Sequence, residues 1–96
     1  MVRAKRLFCI VAYDIRDDKR RNKVSKILEK YGVRINFSVF ECLFTDSQYI
    51  KVRSQIEIKI NSEEDSLVYY PICVNCFTKI VYQPKRKQSV EVVTVV

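Results

Sequence analysis

Seven consecutive apolar residues, Leu7 through Tyr13, stop abruptly at the carboxylate of Asp14. The run is too short for a buried helix and lacks polar alternation, so it predicts a strand covered on both faces. Such a strand needs a layer of helix against it, and the next residues supply one. Asp17 or Asp18 stands where an N-cap belongs, and Val24, Ile27, Leu28 and Tyr31 recur at helical spacing. Gly32, the only glycine in the chain, follows directly and is expected in the left-handed position that ends a helix, with Val33 folding back on it.

Across residues 34–44, Ile35, Phe37 and Val39 alternate with Asn36, Ser38, Phe40 and Cys42, which fits one long strand or a tightly broken pair. Thr45 and Gln48 form a capping box, with Phe44 and Tyr49 as its hydrophobic staple. A second helix is therefore expected from Asp46, with Tyr49, Val52, Ile56 and Ile60 on its apolar face. Strands are expected at 66–72 and 79–83, joined by a turn over 73–78. A β-branched terminal strand at 90–96 follows the basic linker 84–88. The predicted class is α+β: a ferredoxin-like antiparallel sheet with two helices on one face, plus an extra C-terminal strand. Residues 1–84 would form the domain, and 85–96 a basic linker and strand packed across a homodimer, where a Val-rich edge finds cover.

Length and composition narrow the function. Ninety-six residues make one small domain, with roughly 60–65% of the unfolded surface buried. Eighteen Lys and Arg oppose 11 Asp and Glu, a net charge of +7, on a chain that is 48% hydrophobic. That combination predicts a folded cationic domain that meets polyanions, nucleic acid before membrane. Histidine is absent, which excludes an imidazole base, a His-ligated zinc and a Ser-His-Asp triad built from this chain. Hydrolysis would have to use carboxylates, a thiol, or a metal held by oxygen. The charged start and short apolar run imitate a signal peptide, but no small-residue cleavage site follows Asp14. No stretch reaches the roughly 20 apolar residues of a membrane span, and a soluble, cytoplasmic protein is expected. Cys9 and Cys42 read as small core residues, and the Cys73/Cys76 pair as core or turn residues ahead of a zinc or redox site.

Charge is unevenly placed. Residues 16–34 carry eight Lys and Arg against three acids, whereas 57–65 carry four acids and one lysine. Arg3, Lys5 and Arg6 form a second basic cluster, and Lys85, Arg86 and Lys87 a third. Together they suggest a phosphate-binding surface, with Tyr13, Phe37 and above all Phe40 as stacking candidates, although each also suits the core. Asp14 stands out as the charge at the carboxyl end of an apolar strand. Alone it is a turn residue or a poor Mg²⁺ ligand; two copies facing across a dimer axis would supply the missing carboxylate.

The runs Tyr13-Asp14-Ile15, Asp17-Asp18, Arg21-Asn22 and Val24, then Tyr31-Gly32, Arg34-Ile35 and Phe37 through Cys42, resemble one family over most of residues 7–84. It is the small CRISPR-associated protein of spacer acquisition, the smaller of the two universal adaptation proteins. The resemblance implies a ferredoxin-like homodimer with Mg²⁺-dependent endonuclease activity on RNA or duplex DNA. It implies Asp14 as metal ligand and catalytic residue, with Tyr13, Arg21, Arg34 and Phe40 as further catalytic residues. Nucleic acid would meet Arg16, Lys19, Arg20, Lys23, Ser38, Lys85, Arg86 and Lys87. Lys23 falls where the family has an arginine, keeping the charge without the bidentate fork. The resemblance equally implies a non-catalytic role, a DNA-binding dimer that bridges a larger CRISPR integrase protein. A toxin-like ribonuclease of the same fold is a third reading.

Overall fold

The computed structural model describes residues 6–84. Strand β1 (Leu7–Asp14) leads into helix α1 (Asp18–Glu29), strands β2 (Gly32–Asn36) and β3 (Val39–Phe44), helix α2 (Asp46–Glu57), strand β4 (Ser66–Ile72) and a single turn of helix, α3 (Val74–Phe77). The sheet order is β2-β3-β1-β4 with antiparallel pairing throughout, the expected α+β arrangement. The C-terminal strand expected at 90–96 lies outside the described residues, as do Lys85, Arg86 and Lys87.

Both helices begin as their caps require. Asp17 accepts the Arg20 N–H at 2.9 Å, and Thr45 and Gln48 close a reciprocal capping box. The Phe44 and Tyr49 rings of the staple stand 5.7 Å apart. Val24 and Leu28 from α1, and Val52 and Ile56 from α2, pack with Cys9, Val11, Tyr13, Phe40, Cys42 and Phe44 into one core on one side of the sheet. The α2 helix stops at Glu57, so the alternating segment that follows is a turn and Ile58 stands exposed.

The other side of the sheet is built from the alternate residues. Pairing places Phe8, Ile10, Ala12 and Asp14 beside Ile72, Tyr70, Val68 and Ser66 on this face. Its far end is covered by Phe77 and Ile80, which pack against Phe8 and Leu43. Towards Asp14 it stays open among the described residues, leaving Val33, Val68 and Tyr70 between 44% and 53% exposed.

Of the two arrangements open for residues 34–44, the structure has the broken pair: Asn36 pairs with Val39 across a Phe37–Ser38 turn, with a register shift between Arg34 and Asn36. Three expectations need correction. Residues 79–83 form no strand. Instead Ile80 packs on the sheet face and Tyr82 donates a hydrogen bond to Glu41. The expected turn at 73–78 contains α3.

Gly32 is the third. It has no positive φ and begins β2, while α1 ends in ordinary right-handed geometry at Lys30. The glycine is required by close approach instead, since a Cβ there would lie 1.9 Å from the Glu41 carbonyl oxygen. Gly32→Ala must therefore push β2 away from β3. The expected loss is at least ~2 kcal/mol, as for overpacking against an unyielding neighbour. Urea denaturation measures it, and an unchanged midpoint would show that the two strands separate freely.

Candidate active site

Asp14 ends β1 on the open face of the sheet, exposed and opposite Ser66. One residue earlier the pleat turns Tyr13 into the core, where it is 5% exposed. Tyr13 ties the β2–β3 turn down twice: its N–H donates to the Ser38 carbonyl at 3.0 Å and its hydroxyl to the Phe37 carbonyl at 3.4 Å. Burial pushes the hydroxyl pKa upward, against the pull of the Arg34 and Arg21 charges. Tyr13 thus keeps its proton at neutral pH and serves as a donor, not a base.

Arg21 lies on α1 beside this strand end. Its Nη1 donates to the Ile15 carbonyl at 2.7 Å and its Nη2 pairs with Asp18. Tyr13, Asp14, Ile15, Arg21, Phe37 and Ser38 line a cleft of about 330 Å³. A second cleft of about 300 Å³ is lined by Asp18, Arg21, Asn22, Arg34 and Phe37, so Arg21 and Phe37 border both. Arg34 is steadied by donating to Ser25 Oγ at 2.6 Å, and its guanidinium carbon lies 5.6 Å from the Phe40 ring centroid.

The sequence-predicted residues therefore separate into groups. Tyr13, Asp14, Arg21 and Ser38 share one cleft, and Arg34 joins through Arg21. Phe40 is fully buried and cannot stack on a base; it forms part of the floor under Arg34. The accessible ring is Phe37, 83% exposed at the hairpin tip. Phe37 was among the stacking candidates, behind Phe40, and the turn is what exposes it. Asn22 and Asp18, which also line the second cleft, were not singled out as site residues. Arg16, Lys19 and Lys23 are exposed but line neither cleft.

Arg20 points elsewhere, although it adjoins Arg21 in sequence. Its Nε and Nη2 bind Asp65 and Glu64 at 2.8 and 3.0 Å, so its charge is met by the acidic corner. Asp65 is buried there and also accepts backbone N–H groups from Asn61 at 2.9 Å and Arg16 at 3.4 Å. The corner fastens the start of α1 to the loop before β4.

The donor chemistry of the first cleft fits a hard divalent cation. An exposed carboxylate stands beside the Ser38 hydroxyl, and the thiols lie elsewhere. A single chain supplies one carboxylate only; among the described residues no group of three or more His, Cys, Asp or Glu gathers. Nor is any described helix long and apolar enough to cross a membrane.

A small α+β domain with a lone carboxylate and several cations at the end of a central strand is the class these observations define. The family described as CRISPR associated protein Cas2 matches residues 7–80. A CRISPR-associated endoribonuclease Cas2 of Synechocystis is 41% identical over 71 residues, covering 74% of this chain and 77% of the relative. The crystal structure of Streptococcus pyogenes Cas2 superposes with a TM-score of 0.71 at 26% identity, covering 78% of this chain and 96% of that one. A chain of a partial Cas6-RT-Cas1–Cas2 complex shares the fold, with a TM-score of 0.73 at 24% identity over 94% of this chain and 98% of its own. The chain belongs to the Cas2 family.

The acidic corner makes a pH prediction. The Arg20 guanidinium, helped by the Asn61 and Arg16 amides, holds the Asp65 carboxyl down to about 2. The unfolded chain takes up that proton first, near the ordinary aspartate value of about 4. The stabilisation is therefore complete above that value and is lost as the pH falls towards 2. Urea midpoints of the wild type should drop across this window more steeply than those of Asp65→Asn. Parallel curves would remove Asp65 as the source.

Proposed function

We propose that this chain is a Mg²⁺-dependent endonuclease acting on RNA or duplex DNA in spacer acquisition, working as a homodimer with a larger CRISPR integrase as partner. The observation that carries this reading is the placement of Asp14 on the open sheet face beside Arg21, Ser38 and the exposed Phe37. Its relatives' names and the Cas1–Cas2 assembly among its structural neighbours support it. A cytoplasmic setting follows from that role.

Each residue has a task. Arg21 and Arg34 offer guanidinium groups to phosphate oxygens, the first held by the Ile15 carbonyl and the second by Ser25. Arg16, Lys19 and Lys23 extend the positive surface around them. Phe37 offers a flat apolar ring on which an unpaired base can stack. Tyr13 holds the hairpin that carries Phe37 and Ser38. Asp14, with the same residue of a second copy, would hold Mg²⁺. That ion supplies charge for the phosphodiester and makes a water molecule more acidic.

The open face supports the second copy. Val33, Val68 and Tyr70 are exposed on it, and the pleat puts Asp14 on the same side. Glu41 also lies on this face, 1% exposed, with Oε2 accepting from Tyr82 and Oε1 lacking a partner among the described residues. A buried carboxylate oxygen in that condition calls for a hydrogen-bond donor, which a second copy could bring to this face. Val68→Glu should convert the dimer to monomer, as read by light scattering. A dimer that survives the change must use a different surface.

Asp14→Asn tests the chemistry. It keeps the side chain's size and removes the charge needed to hold the metal. Cleavage should fall at least ~10²-fold, as expected where electrostatic stabilisation dominates. Dimerisation and nucleic-acid affinity should hardly change. Both proteins are assayed on RNA and duplex DNA, with Mg²⁺ and with chelator. Cleavage that survives both the substitution and chelation refutes the assignment. An inactive wild type that still binds DNA would favour the bridging adaptor, for which the same exposed cations suffice.

A further inference from the structure

The thiols left unused by this reading lie at the opposite end of β4. Asp14 pairs with Ser66 at one end of that strand and α3 follows Ile72 at the other, roughly 20 Å away at ~3.3 Å per residue. Cys73 caps α3, its Sγ accepting the Cys76 N–H at 3.4 Å. The Phe77 N–H closes the same turn onto the Cys73 carbonyl at 2.8 Å. Both cysteines are free and exposed. Two thiols thus share one turn, each open to solvent, with the Cys76 amide bonded to the Cys73 sulfur.

The other two cysteines make a contrast within the same molecule. Cys9 and Cys42 are cross-strand neighbours with no exposed surface. Burial pushes their thiols up to about 11 and about 12. They pack as apolar groups and offer little thiolate.

We propose that Cys73 and Cys76 form a redox-active dithiol that exchanges reversibly with small-molecule disulfides, Cys73 attacking and Cys76 resolving. The hydrogen bond from the Cys76 amide favours the Cys73 thiolate, while the neighbouring Cys73 sulfur keeps the Cys76 thiol protonated. With oxidised glutathione, the Cys73 thiolate attacks one sulfur, breaks the S–S bond and releases one glutathione thiolate. Cys76 then gives its proton to solvent and attacks the Cys73 sulfur of the mixed disulfide, displacing the second glutathione thiolate. Two cysteine thiols become one disulfide as one glutathione disulfide becomes two thiols. The bond would fix the turn that positions Phe77 edge-on against Phe8, with ring centroids 4.6 Å apart. Oxidation would thus be felt where the sheet's far end is covered.

Mass spectrometry of the native full-length chain, titrated with oxidised and reduced glutathione, tests this. The expected product has lost two hydrogen masses, maps to Cys73–Cys76 and returns to the dithiol with excess reduced glutathione. Alkylation of the reduced native protein should label these two cysteines, Cys73 at least ~10-fold faster than Cys76, and leave Cys9 and Cys42 unlabelled. Cys76→Ser should accumulate one glutathione on Cys73, because the resolving sulfur is gone. Serine at the exposed position 76 preserves the fold, and the wild-type titration needs no variant. A wild type that retains bound glutathione, forms disulfides only between chains, or stays fully reduced would overturn the proposal.

Discussion

A strand that carries a charge at its end must put that charge on one face or the other, and the pleat decides which. In β1 the alternation places Cys9, Val11 and Tyr13 under the helices and leaves Ile10, Ala12 and Asp14 on the opposite side. A slip by one residue would bury the carboxylate among Phe40, Val24 and Leu28 and expose the tyrosine ring. Pairing along both edges of β1, with β3 and β4, makes that slip costly. The rest of the site is assembled from this register. Because Tyr13 is inward, its hydroxyl can reach beneath the hairpin to the Phe37 carbonyl. Because that hairpin is fixed, Ser38 and the Phe37 ring stand beside Asp14.

Elements with local causes were legible in the sequence. Asp17 and the Thr45/Gln48 box start helices through hydrogen bonds made within a few residues, so no tertiary information is needed to find them. The hairpin had no comparable local signature. Its two-residue turn contains neither glycine nor Asn-Gly, and none of its residues has positive φ. It closes through a register shift and the Asn36 side chain, which accepts the Ser38 N–H at 3.2 Å. Gly32 failed for a related reason: glycine after a helix signals a left-handed turn only when nothing else requires the missing Cβ. Here the Glu41 carbonyl, nine residues on, requires it. The β-branched and aromatic residues at 79–83 suit a strand, but Ile80 packs on the sheet surface and Tyr82 bonds to Glu41 instead of pairing in a ladder.

The candidate site was legible in its carboxylate and less so in its cations. Counting charge along residues 16–34 treats Arg20 and Arg21 alike, yet adjacent helical residues project about 100° apart, as 3.6 residues per turn dictates. Arg20 meets the acidic corner and Arg21 meets the end of β1. The aromatic residues were inverted in the same way. Phe40 and Phe37 differ by three positions, but the turn between them places one in the core and the other in solvent. Sequence identifies such residues as a set, whereas the register distributes their tasks.

The cations also explain why Asp14 separates the two functional readings. Gripping a phosphate backbone would use Arg21, Arg34 and the exposed lysines whether or not the backbone is cut, so those residues are silent on the question. A carboxylate among them works against binding, since it repels the phosphates they attract. An adaptor would bind at least as well with a neutral residue at position 14. The charge serves binding only when something positive stands between it and the phosphate. One carboxylate, several waters and the phosphate itself can hold Mg²⁺, and a second carboxylate from a facing copy would hold it better. The same open face that leaves Asp14 accessible leaves Val68 and Tyr70 uncovered, so the surface that would bring two copies together is the one that would bring two Asp14 side chains together. Dimerisation and metal binding would therefore draw on one feature of the fold, the outward phase of β1.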